Sequence, residues 1–576
     1  MNSNSINLPT GPATAMPLYA PPSTAAPLDL HLDANEGPGS ALNGDLARLV
    51  TALGPEAVRR YPDATSLERR IAERWNVGPS RVLVTAGGDE AIDRVCRVTL
   101  SQGRGVILPV PTFEMIGRFA RLACAEVVTT EWHEGSYPVE SVLDRVTDRT
   151  AMIVVVSPNN PTGAVATAKD LEQLAVAAPG AVLLVDCAYA EFADEDLTAA
   201  ALTLPNAVVI RTFSKAFSMA GLRVGYAIGP ERSIRAMRGV GSPFPVSGLS
   251  LAVAEDALAN ADKTLRGSVV RVRLERERLS AVLTELGGRP RPSQGNFVLA
   301  DFDDADWVWR ALAGLGIGVR RFAGGLGLDQ SLRITCPGRE AEFERLCRGL
   351  RSALRPNALL FDMDGVIADV SESYRRAISL TAASFGVSIT PGAISAAKAE
   401  GDANNDWVLT QRLLKRRGVD APLGEVTARF EALYHGGDGS PGLAAAESLI
   451  PDCGLLERLA ARVPLAIVTG RPRQDCERFL SRFGLTHLFS ATVCMEDGPA
   501  KPSPATVRRA LELLAVDAAW MIGDTPDDVV AARKAGVVPI GIAPPGDASG
   551  ETTTAMERAG AARMLGSLNE LEGMLP

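Results

Sequence analysis

Histidine is scarce in this chain, and its cysteines are not arranged in pairs. The four histidines among 576 residues do not have the spacing of metal ligands; they are His31, His133, His435 and His487. The eight cysteines include no Cys-x-x-Cys motif, which favours reduced thiols in a cytoplasmic protein over a disulfide scaffold. Catalysis is therefore expected to depend on lysine and aspartate.

The start of the chain lacks a basic segment and an apolar run, so neither a secretory signal nor a membrane span is predicted there. Residues 1–28 contain six prolines and many Ser, Thr and Asn, which is the composition of a loosely ordered tail. The excess of charge is small, because 68 acidic and 59 basic residues give a net charge of −9. We therefore expect no nucleic-acid partner.

The length of the chain exceeds what one hydrophobic core can accommodate, so two or more domains are expected. Short apolar runs such as Met152–Val156 alternate with amphipathic segments such as Asp89–Leu100. This alternation predicts an α/β fold with a mostly parallel sheet and helices on both faces. A helical pattern ends at Pro356 and a new apolar strand follows. We therefore predict one domain over residues 29–355 and a second over residues 357–576.

Lys215 stands shortly after the apolar strand Ala207–Ile210, beside Ser214, and Arg223 follows eight residues later. The end of a buried strand desolvates an amine and lowers its pKa, as an imine-forming lysine requires. Hydroxyl and guanidinium neighbours suit the phosphate of a cofactor. A Ser-Lys pair alone would more simply indicate a solvated surface lysine, so the interpretation depends on further motifs.

Three polar residues near the ends of predicted strands can hold a pyridine ring. Asp186 follows Val182–Val185, and its carboxylate can pair with a protonated ring nitrogen, although an isolated Asp here would also fit a helix cap. Tyr189 and Asn160 can donate hydrogen bonds to the ring oxygen. Asn160 lies in a turn rich in Pro, Asn and Gly after a strand, where α/β proteins bind ligands.

Gly87-Gly88-Asp89-Glu90 lies between a predicted strand and a helix. Main-chain amides and the helix dipole favour a phosphate at such a junction, although a tight turn explains the glycines equally well. Phe113 can stack on the ring, although a lone Phe more often belongs to the core.

Together these motifs resemble the fold-type I aminotransferases, which use pyridoxal 5'-phosphate (PLP), and within them the histidinol-phosphate aminotransferase family. Further matching segments are Leu32-Asp-Ala-Asn-Glu36, Arg60-Tyr-Pro-Asp63, Pro243-Phe-Pro-Val-Ser247, Pro292-Ser-Gln-Gly-Asn-Phe297 and Leu332-Arg-Ile-Thr335. The resemblance implies a large parallel-sheet domain plus a small domain, and an imine between Lys215 and PLP. The other implied roles are the ring contacts of Asp186, Tyr189, Asn160 and Phe113, the phosphate contacts of Gly88, Asp89, Ser214 and Arg223, and a Tyr61 that reaches the partner subunit's site in a homodimer.

Arg320 and Arg333 are the candidate substrate residues, and the family keeps their spacing. The resemblance implies that Arg333 grips a carboxylate or phosphate and that Arg320 adds to this anion site. Two guanidinium groups suit a doubly charged phosphate better than a hydrophobic amino acid, although either arginine alone would fit a surface salt bridge. Cys187 stands where the family usually has Glu, and Phe113 where it often has Tyr, so the substrate preference stays open.

Asp362 and Asp364 follow the apolar strand Ala358–Phe361. Two carboxylates at the end of one strand repel each other unless a cation neutralises them, so Mg²⁺ is expected. Asp362 can then ligate the cation and attack phosphorus, while Asp364 protonates the leaving oxygen. Taken alone, the motif would also fit a calcium-type loop or a charged turn.

Three later segments complete a second pattern: an apolar strand ending at Thr469, Lys501 before a helix, and Trp520–Asp528, which ends in carboxylates. In this order they resemble the haloacid dehalogenase (HAD) superfamily, whose core is Rossmann-like, over about residues 357–576. The resemblance implies that Asp362 is the phosphorylated nucleophile and Asp364 the acid/base. It also implies phosphoryl contacts from Thr469 and Lys501, and a Mg²⁺ site formed by Asp362, Asp364 and Asp524 with support from Asp528.

Residues 372–450 are largely helical in pattern and look like the helical cap of a subclass I member. Within them, Asn404–Trp407 fits either a substrate loop or a helix N-terminus, and we favour the helix N-terminus.

The two resemblances predict a bifunctional enzyme of L-histidine biosynthesis. One domain would form histidinol phosphate, with glutamate and 2-oxoglutarate as the amino-donor pair, and the other would hydrolyse that product. An alternative is an aminotransferase for another aromatic or phosphorylated amino acid, fused to a phosphatase with a different substrate. A third possibility is a non-catalytic C-terminal domain that regulates or supports a dimer, which the intact motif residues argue against.

Overall fold

The computed structural model describes residues 16–19, 23–39, 45–322, 325–401, 405–437, 440–543 and 550–576. The tail predicted over residues 1–28 lies mostly outside this part of the chain. The packing divides the chain into two compact units. The first contains Leu32–Asp303, Arg320–Phe343 and the described residues before Ser23; the second contains Ser23–His31, Asp304–Val319 and Glu344–Pro576. This division follows packing rather than motifs, and the predicted limits at residues 355 and 357 stay a prediction.

The strands up to residue 335 are β1 (Leu30–Leu32), β2 (Val82–Thr85), β3 (Gly105–Val110), β4 (Glu126–Glu131), β5 (Thr150–Val156), β6 (Val182–Asp186), β7 (Ala207–Thr212), β8 (Gly225–Ile228), β9 (Arg289–Pro290), β10 (Phe297–Asp301), β11 (Ile317–Arg321) and β12 (Ser331–Thr335). The helices up to residue 354 are α1 (Asp45–Leu53), α2 (Glu56–Arg59), α3 (Thr65–Arg74), α4 (Gly87–Thr99), α5 (Glu114–Leu122), α6 (Val139–Leu143), α7 (Ala168–Ala177), α8 (Thr198–Leu202), α9 (Glu231–Val240), α10 (Gly248–Ala259), α11 (Ala261–Glu285), α12 (Ala305–Gly314) and α13 (Glu340–Leu354).

The main sheet of the first unit has the strand order β2-β8-β7-β6-β5-β3-β4. Its strands pair in parallel except β8, which is antiparallel to both of its neighbours. Every residue of the central strand β5 is buried. Met152 and Val154 belong to the core on one face of the sheet, and Ile153 and Val155 to the core on the other. Both faces are therefore covered by helices, as the continuous apolar run of β5 predicts for a parallel strand.

A smaller sheet has the strand order β1-β11-β12-β10-β9, in which the pairs β11–β12, β12–β10 and β10–β9 are antiparallel. Its register places Arg320 of β11 directly opposite Arg333 of β12. Residues directly opposite each other in a ladder lie on the same face of a sheet. The two arginines therefore lie side by side.

The later strands are β13 (Ala358–Phe361), β14 (Ala368–Asp369), β15 (Gly436–Gly437), β16 (Ser440–Pro441), β17 (Ser448–Leu449), β18 (Leu465–Val468), β19 (Phe489–Val493), β20 (Ala519–Gly523), β21 (Val538–Ile542) and β22 (Arg563–Leu565). The later helices are α14 (Tyr374–Ser384), α15 (Pro391–Ala399), α16 (Asp406–Arg416), α17 (Leu423–His435), α18 (Cys453–Ala460), α19 (Arg473–Arg482), α20 (Ala505–Leu514), α21 (Pro526–Ala535), α22 (Glu551–Ala559) and α23 (Glu570–Met574).

The main sheet of the second unit is parallel, with the strand order β19-β18-β13-β20-β21-β22. The apolar strand β13 therefore lies between β18 and β20, and all of its residues are buried. Helices α14 to α17 come between β13 and β18 in the chain, within the range predicted for the cap. The short strands β14 and β17 pair antiparallel on either side of this helical insertion and join its two connections.

The α/β class predicted from the sequence is confirmed, and the strand predicted over Ala358–Phe361 has those bounds in the structure. The helix predicted over Asp89–Leu100 begins earlier, at Gly87, so the two glycines open the helix rather than precede it. No helix in the described part of the chain has the length and apolar character needed to cross a membrane.

Candidate active sites

Four predicted site residues lie where strands of the first main sheet end. Asp186 is the last residue of β6, and Lys215 follows β7 by three residues. Asn160 follows β5, and Phe113 follows β3 and precedes α5. Because β3, β5, β6 and β7 are parallel, their carboxyl ends meet at one edge of the sheet, the usual ligand position in α/β proteins.

The amine of Lys215 lies in a partly desolvated and cationic environment. Its Nζ donates a hydrogen bond to the carbonyl oxygen of Ala34 at 3.1 Å. Burial, together with the nearby charge of Arg333, lowers the pKa of Lys215 to about 8. The lowered pKa increases the fraction of neutral amine near neutral pH, and attack on an aldehyde requires the neutral form.

Asp186 carries a buried carboxylate at the same edge. Its side chain accepts a hydrogen bond from the backbone N–H of Ala188 at 3.0 Å. Burial raises the pKa of Asp186 to about 6, against the opposing effect of that hydrogen bond. A carboxylate that is costly to bury gains most when a cation, such as a protonated pyridine nitrogen, binds beside it.

The hydroxyl group of Tyr189 is hydrogen-bonded to Asn35, a residue near the start of the first unit's sequence. Its hydroxyl oxygen accepts a hydrogen bond from Asn35 Nδ2 at 3.0 Å, and its ring meets Phe297 edge to face. Asn35 is itself fixed by Thr335, which donates to Asn35 Oδ1 at 3.0 Å. Because Asn35 uses a lone pair of the Tyr189 oxygen, the hydroxyl proton stays available for a ring oxygen.

The junction between β2 and α4 has the features of a phosphate cradle. Gly87 has φ +82°, and a Cβ at this position would lie 2.7 Å from Arg223 Nη2. Gly225 approaches so closely that its own Cβ would lie 2.5 Å from the Gly87 carbonyl carbon. The N-terminus of α4, with Gly88 in its first turn, therefore meets the Arg223 guanidinium with no side chain in between.

Hydroxyl groups complete the donor set of the cradle. Ser214 is buried, and its Oγ accepts a hydrogen bond from Thr212 Oγ1 at 2.9 Å. The carboxylate of Asp89 pairs with Arg223 Nη2 at 3.2 Å, so any contact from Asp89 to a phosphate has to come from its main-chain N–H. Amides, hydroxyls and a guanidinium form a set that fits the phosphate of PLP.

Phe113 and Tyr61 lie in different environments. Phe113 is half-buried at the N-terminal end of α5 and packs against the core of the main sheet. Tyr61 is 83% exposed, and its ring stacks on Phe244 with centroids 4.8 Å apart. Tyr61 is therefore an exposed aromatic residue of this chain.

Arg333 is the buried member of the arginine pair. Its Nη1 donates to Asn160 Oδ1 and its Nη2 to the carbonyl oxygen of Asp33, both at 2.5 Å. Burial lowers the pKa of Arg333 to about 10, and its Nε has no hydrogen-bond partner among the described residues. Arg320 is paired with Glu114 at 3.3 Å. Among the described residues this buried guanidinium has no carboxylate partner, which favours the binding of an anion beside it.

The residues of this site fit PLP, although several of them were not predicted from the sequence. Asn35 lies in a segment that resembles the family, but no pattern connects it with Tyr189. Gly37 allows close packing, because a Cβ there would lie 2.1 Å from the carbonyl oxygen of Lys215. Such contacts between distant segments have no local signature in the sequence.

The second unit collects carboxylates at the ends of β13 and β20. Asp362, Asp524 and Asp528 are buried, and one oxygen from each lies within 4.8 Å of the others. Burial raises the pKa of Asp362 to about 7, and burial together with the charges of Asp362 and Asp528 raises that of Asp524. Three oxygen donors that repel each other are a set that fits Mg²⁺.

Lys501 lies between two of these acids. Its Nζ donates to Asp362 Oδ1 at 2.8 Å and also to Asp528 Oδ1. Burial alone would lower the pKa of Lys501, but the two carboxylates outweigh it and raise the pKa. Thr469 is buried at the end of the adjacent strand β18. An ammonium group and a hydroxyl beside Asp362 suit the oxygens of a phosphoryl group.

The carboxylate of Asp364 pairs with an arginine and does not belong to the group of three acids. Its Oδ1 accepts a hydrogen bond from Arg471 Nε at 2.5 Å. The carboxylates that lie close enough together to bind one cation are those of Asp362, Asp524 and Asp528, and the carboxylate of Asp364 is not one of them. Asp364 can reach a cation through its main-chain oxygen or after release from Arg471, so its assignment as a ligand stays a prediction. The buried Arg471 was not predicted.

The cap brings a further ion pair to this unit. Lys398 of α15 and Asp406 of α16 lie 3.3 Å apart. Burial alone would lower the pKa of Lys398, but Asp406 and Asp524 outweigh it and raise the pKa. Asn405 accepts hydrogen bonds from Trp407 N and Val408 N, which confirms the helix N-terminus; Asn404 lies outside the described residues.

Two family models match the chain. Residues 30–350 match the model of class I and II aminotransferases, and residues 356–536 match the model of haloacid dehalogenase-like hydrolases. The histidinol-phosphate aminotransferase of Sinorhizobium meliloti, solved in complex with pyridoxal-5'-phosphate, superimposes with a TM-score of 0.52 at 23% identity. The match covers 57% of this chain and 92% of that one, which confirms the predicted fold-type I architecture.

Three curated relatives illustrate the similarity in sequence. Histidinol-phosphate aminotransferase from Thermoanaerobacter pseudethanolicus is 32% identical over 57% of this chain and 94% of that enzyme. An aromatic amino acid aminotransferase from Cutibacterium acnes is 32% identical over 59% and 97%. A segment of 196 residues is 50% identical to imidazoleglycerol-phosphate dehydratase of Phytophthora nicotianae. That segment is 33% of this chain, and the chain spans only 43% of the length of this relative.

Replacing Lys215 by Ala should prevent the protein from developing visible absorbance with PLP, because no other amine takes its place at the end of β7. Transamination should fall by about a thousandfold or more, since the variant loses both the bond to the cofactor and the proton carrier. Hydrolysis of p-nitrophenyl phosphate should be unchanged. The exposed Lys169→Ala variant is the control. A coloured Lys215→Ala protein would contradict the assignment.

The affinity of the cofactor-free protein for PLP should fall as the pH drops through about 6. Above this pH the Asp186 carboxylate is charged and can pair with the protonated ring nitrogen, and below it the carboxyl is neutral. Titration with PLP over a pH series measures the effect. The Asp186→Asn variant should bind PLP more weakly and lack this step, and an identical step in that variant would exclude Asp186 as its origin.

Adding Mg²⁺ should raise the melting temperature of the second unit, because a bound cation relieves the repulsion among the three buried acids. The Asp524→Asn variant should lose this response, whereas the exposed Asp517→Asn variant should keep it. Differential scanning calorimetry with and without Mg²⁺ separates the two variants. An undiminished response in Asp524→Asn would place the cation elsewhere.

Proposed function

Because the chain belongs to the class I and II aminotransferase family and carries a haloacid dehalogenase-like hydrolase domain, we propose that it is a bifunctional enzyme of L-histidine biosynthesis. In this proposal the first domain forms histidinol phosphate by PLP-dependent transamination, with glutamate as amino donor and 2-oxoglutarate as its product. The second domain is a Mg²⁺-dependent phosphatase that hydrolyses histidinol phosphate.

The arginine pair is the observation that carries the choice of substrate. Arg320 and Arg333 lie opposite each other in one ladder, and Arg333 is buried with an unused Nε. A single guanidinium would suffice for a plain carboxylate, whereas two suit the dianion of a phosphate ester. Similarity to relatives named for histidinol phosphate and imidazoleglycerol phosphate, both imidazole-bearing phosphate esters, supports the same choice.

The residues of the first site have separate roles in the proposed transamination. PLP, when bound, supplies an aldehyde and a ring that withdraws electrons. Lys215 would hold PLP at its aldehyde carbon and, once the amine of the substrate has replaced it there, would move a proton at its free Nζ. Asp186 keeps the ring nitrogen protonated, and Tyr189 donates to the ring oxygen. Arg333 orients the substrate by its anionic group.

The residues of the second site support hydrolysis in two steps. An oxygen of Asp362 attacks phosphorus, the ester bond breaks, and Asp364 gives its proton to the leaving alkoxide. Water then attacks the phosphoryl group on Asp362, Asp364 takes a proton from it, and inorganic phosphate leaves. Lys501 and Thr469 hold the phosphoryl oxygens throughout. A Mg²⁺ held by Asp362 and Asp524, with Asp528 beside them, would offset the negative charge of the reacting groups.

The proposal also includes a homodimer and a cytoplasmic location. Tyr61 and Phe244 form an exposed aromatic pair on the first unit, which suits burial against a second copy of the chain. A cytoplasmic location agrees with the eight cysteines, all of which are free in the structure.

The alternative is an aminotransferase for aromatic amino acids with an unrelated phosphatase. The relative from Cutibacterium acnes favours it, because its similarity to this chain is as high as that of the histidinol-phosphate enzyme. The arginine pair favours a phosphorylated substrate over an uncharged aromatic side chain. The two candidates therefore differ in what the first site should accept.

Histidinol phosphate should be a substrate of both sites. The Lys215→Ala protein lacks transamination, so it isolates the phosphatase activity. Its kcat/KM for phosphate release should be at least tenfold higher with histidinol phosphate than with p-nitrophenyl phosphate, because the cap selects the substrate. With the Asp362→Asn protein and 2-oxoglutarate, histidinol phosphate should yield glutamate without releasing phosphate.

A matched comparison with phenylalanine as amino donor tests the alternative in the Asp362→Asn protein. Arg333→Gln should reduce glutamate formation from histidinol phosphate far more than from phenylalanine. Faster transamination of phenylalanine than of histidinol phosphate would exclude the first half of the proposal. Hydrolysis of generic phosphate esters without hydrolysis of histidinol phosphate would exclude the second half.

A further inference from the structure

The side chain of Arg471 is fully buried beside the proposed phosphatase site, two residues beyond Thr469. Its Nε donates to Asp364 Oδ1 at 2.5 Å, and its Nη1 donates to Glu447 Oε2 at 3.0 Å. The guanidinium plane is thereby fixed by two carboxylates on two of its edges. Its contact with Asp364 is made to the residue that the proposed mechanism uses as the proton donor.

Aromatic rings enclose the guanidinium. The centre of the group lies 4.9 Å from the ring of Tyr374 and 5.5 Å from that of Phe479. Rings in these positions exclude water, which strengthens the hydrogen bonds to the carboxylates. The remaining nitrogen, Nη2, has no hydrogen-bond partner among the described residues. An unpaired buried donor is unfavourable, so the arrangement is not the one that stability alone would favour.

Glu447 connects Arg471 with both ends of the cap. It immediately precedes β17, the strand that pairs with β14 and joins the two cap connections. Its Oε1 accepts hydrogen bonds from Ser373 Oγ at 2.9 Å and from Tyr434 Oη at 3.0 Å. Ser373 directly precedes the first cap helix, α14, and Tyr434 belongs to the last, α17. The position of Glu447 is therefore fixed by the start and the end of the cap together.

We infer that Arg471 is a positioning residue that holds Asp364 in the orientation for proton donation and ties this orientation, through Glu447, to the connections of the cap. The inference rests on the proposed phosphatase function, because it gives Asp364 the role of acid. A contact at 2.5 Å selects one rotamer of Asp364, and Glu447 selects the rotamer of Arg471. A shift of either cap connection moves Glu447, so the acid is in place only when the cap connections have this arrangement.

Esters with different leaving groups separate positioning of the acid from general structural support. p-Nitrophenoxide leaves without a proton, whereas the alkoxide of glycerol 2-phosphate needs one. Arg471→Met should therefore lower kcat for glycerol 2-phosphate at least tenfold more than kcat for p-nitrophenyl phosphate. Arg471→Lys should restore part of the difference, because an ammonium group can still bond to Asp364. Glu447→Gln should act in the same direction as Arg471→Met.

Arg482 supplies the matched control. Its guanidinium donates to the carbonyl oxygens of Ala444 and Ala445, in the same connection as Glu447, and neither of these contacts involves Asp364. Arg482→Met should leave the ratio of the two kcat values unchanged.

Hydrogen exchange in the metal-free protein gives a readout that does not depend on activity. The amides of β14 and β17 should exchange faster in Arg471→Met and Glu447→Gln than in the parent protein.

The outcomes are distinct. An equal loss of kcat on both esters in Arg471→Met, or unaltered exchange of β14 and β17, would overturn the inference. If Arg471→Met does not fold, the Tyr434→Phe variant is the test, because it removes one hydrogen-bond donor to Glu447. This variant should lower kcat for glycerol 2-phosphate more than kcat for p-nitrophenyl phosphate. An unchanged ratio of the two kcat values would overturn the inference. A parent protein that hydrolyses neither these esters nor histidinol phosphate in the presence of Mg²⁺ would instead contradict the proposed phosphatase function.

Discussion

Buried charges at the carboxyl ends of parallel strands are the constraint on which both candidate sites depend. Strands such as β5 and β13 are buried along their whole length, so the first polar residue after each of them enters a desolvated environment. A charge in such a place is tolerated when an opposite charge or a ligand compensates it. The helices that cover both faces of each sheet create this environment, and the strand ends determine where it opens.

The two units meet this constraint with opposite signs. In the first, the buried charges near the substrate position are cationic: besides burial, the charge of Arg333 lowers the pKa of Lys215, and the charge of Arg320 lowers that of Arg333. In the second, Asp362, Asp524 and Asp528 crowd together and Lys501 compensates only part of their charge. The first arrangement therefore favours an anionic ligand, and the second favours a cation together with a phosphoryl group bound to it.

The sequence predicts the parts of these sites that lie next to one strand. Asp186, Lys215, Asp362 and Thr469 all follow apolar runs, so their place at the sheet edge follows from the alternation of strands and helices. Contacts between segments distant in sequence could not be predicted in this way. Asn35 meets Tyr189 across 154 positions, and neither residue carries a local pattern that indicates the other.

Asp364 and Arg471 show a second limit of sequence reasoning. A carboxylate two residues after Asp362 was expected beside the same cation, because both follow β13. The structure turns Asp364 toward Arg471 and leaves the third position of the acid group to Asp528, which approaches from the start of α21. The direction of a side chain after a strand ends depends on the loop and on its partners, neither of which the spacing of two aspartates determines.

A phosphate ester poses different demands at the two sites, and the choice of cations reflects this difference. In the proposed transamination the phosphate only anchors the substrate and lies far from the reacting bond. Guanidinium groups that stay charged, such as those of Arg320 and Arg333, suit this role best. In the proposed hydrolysis phosphorus is the reacting atom, and strong static binding of the ester would slow the reaction. Lys501, already paired with Asp362 and Asp528, binds the ground state less tightly than a free cation would. Its charge becomes available as the attack of Asp362 transfers negative charge to the phosphoryl oxygens, so the ion pair that stabilises the three acids also favours the transition state.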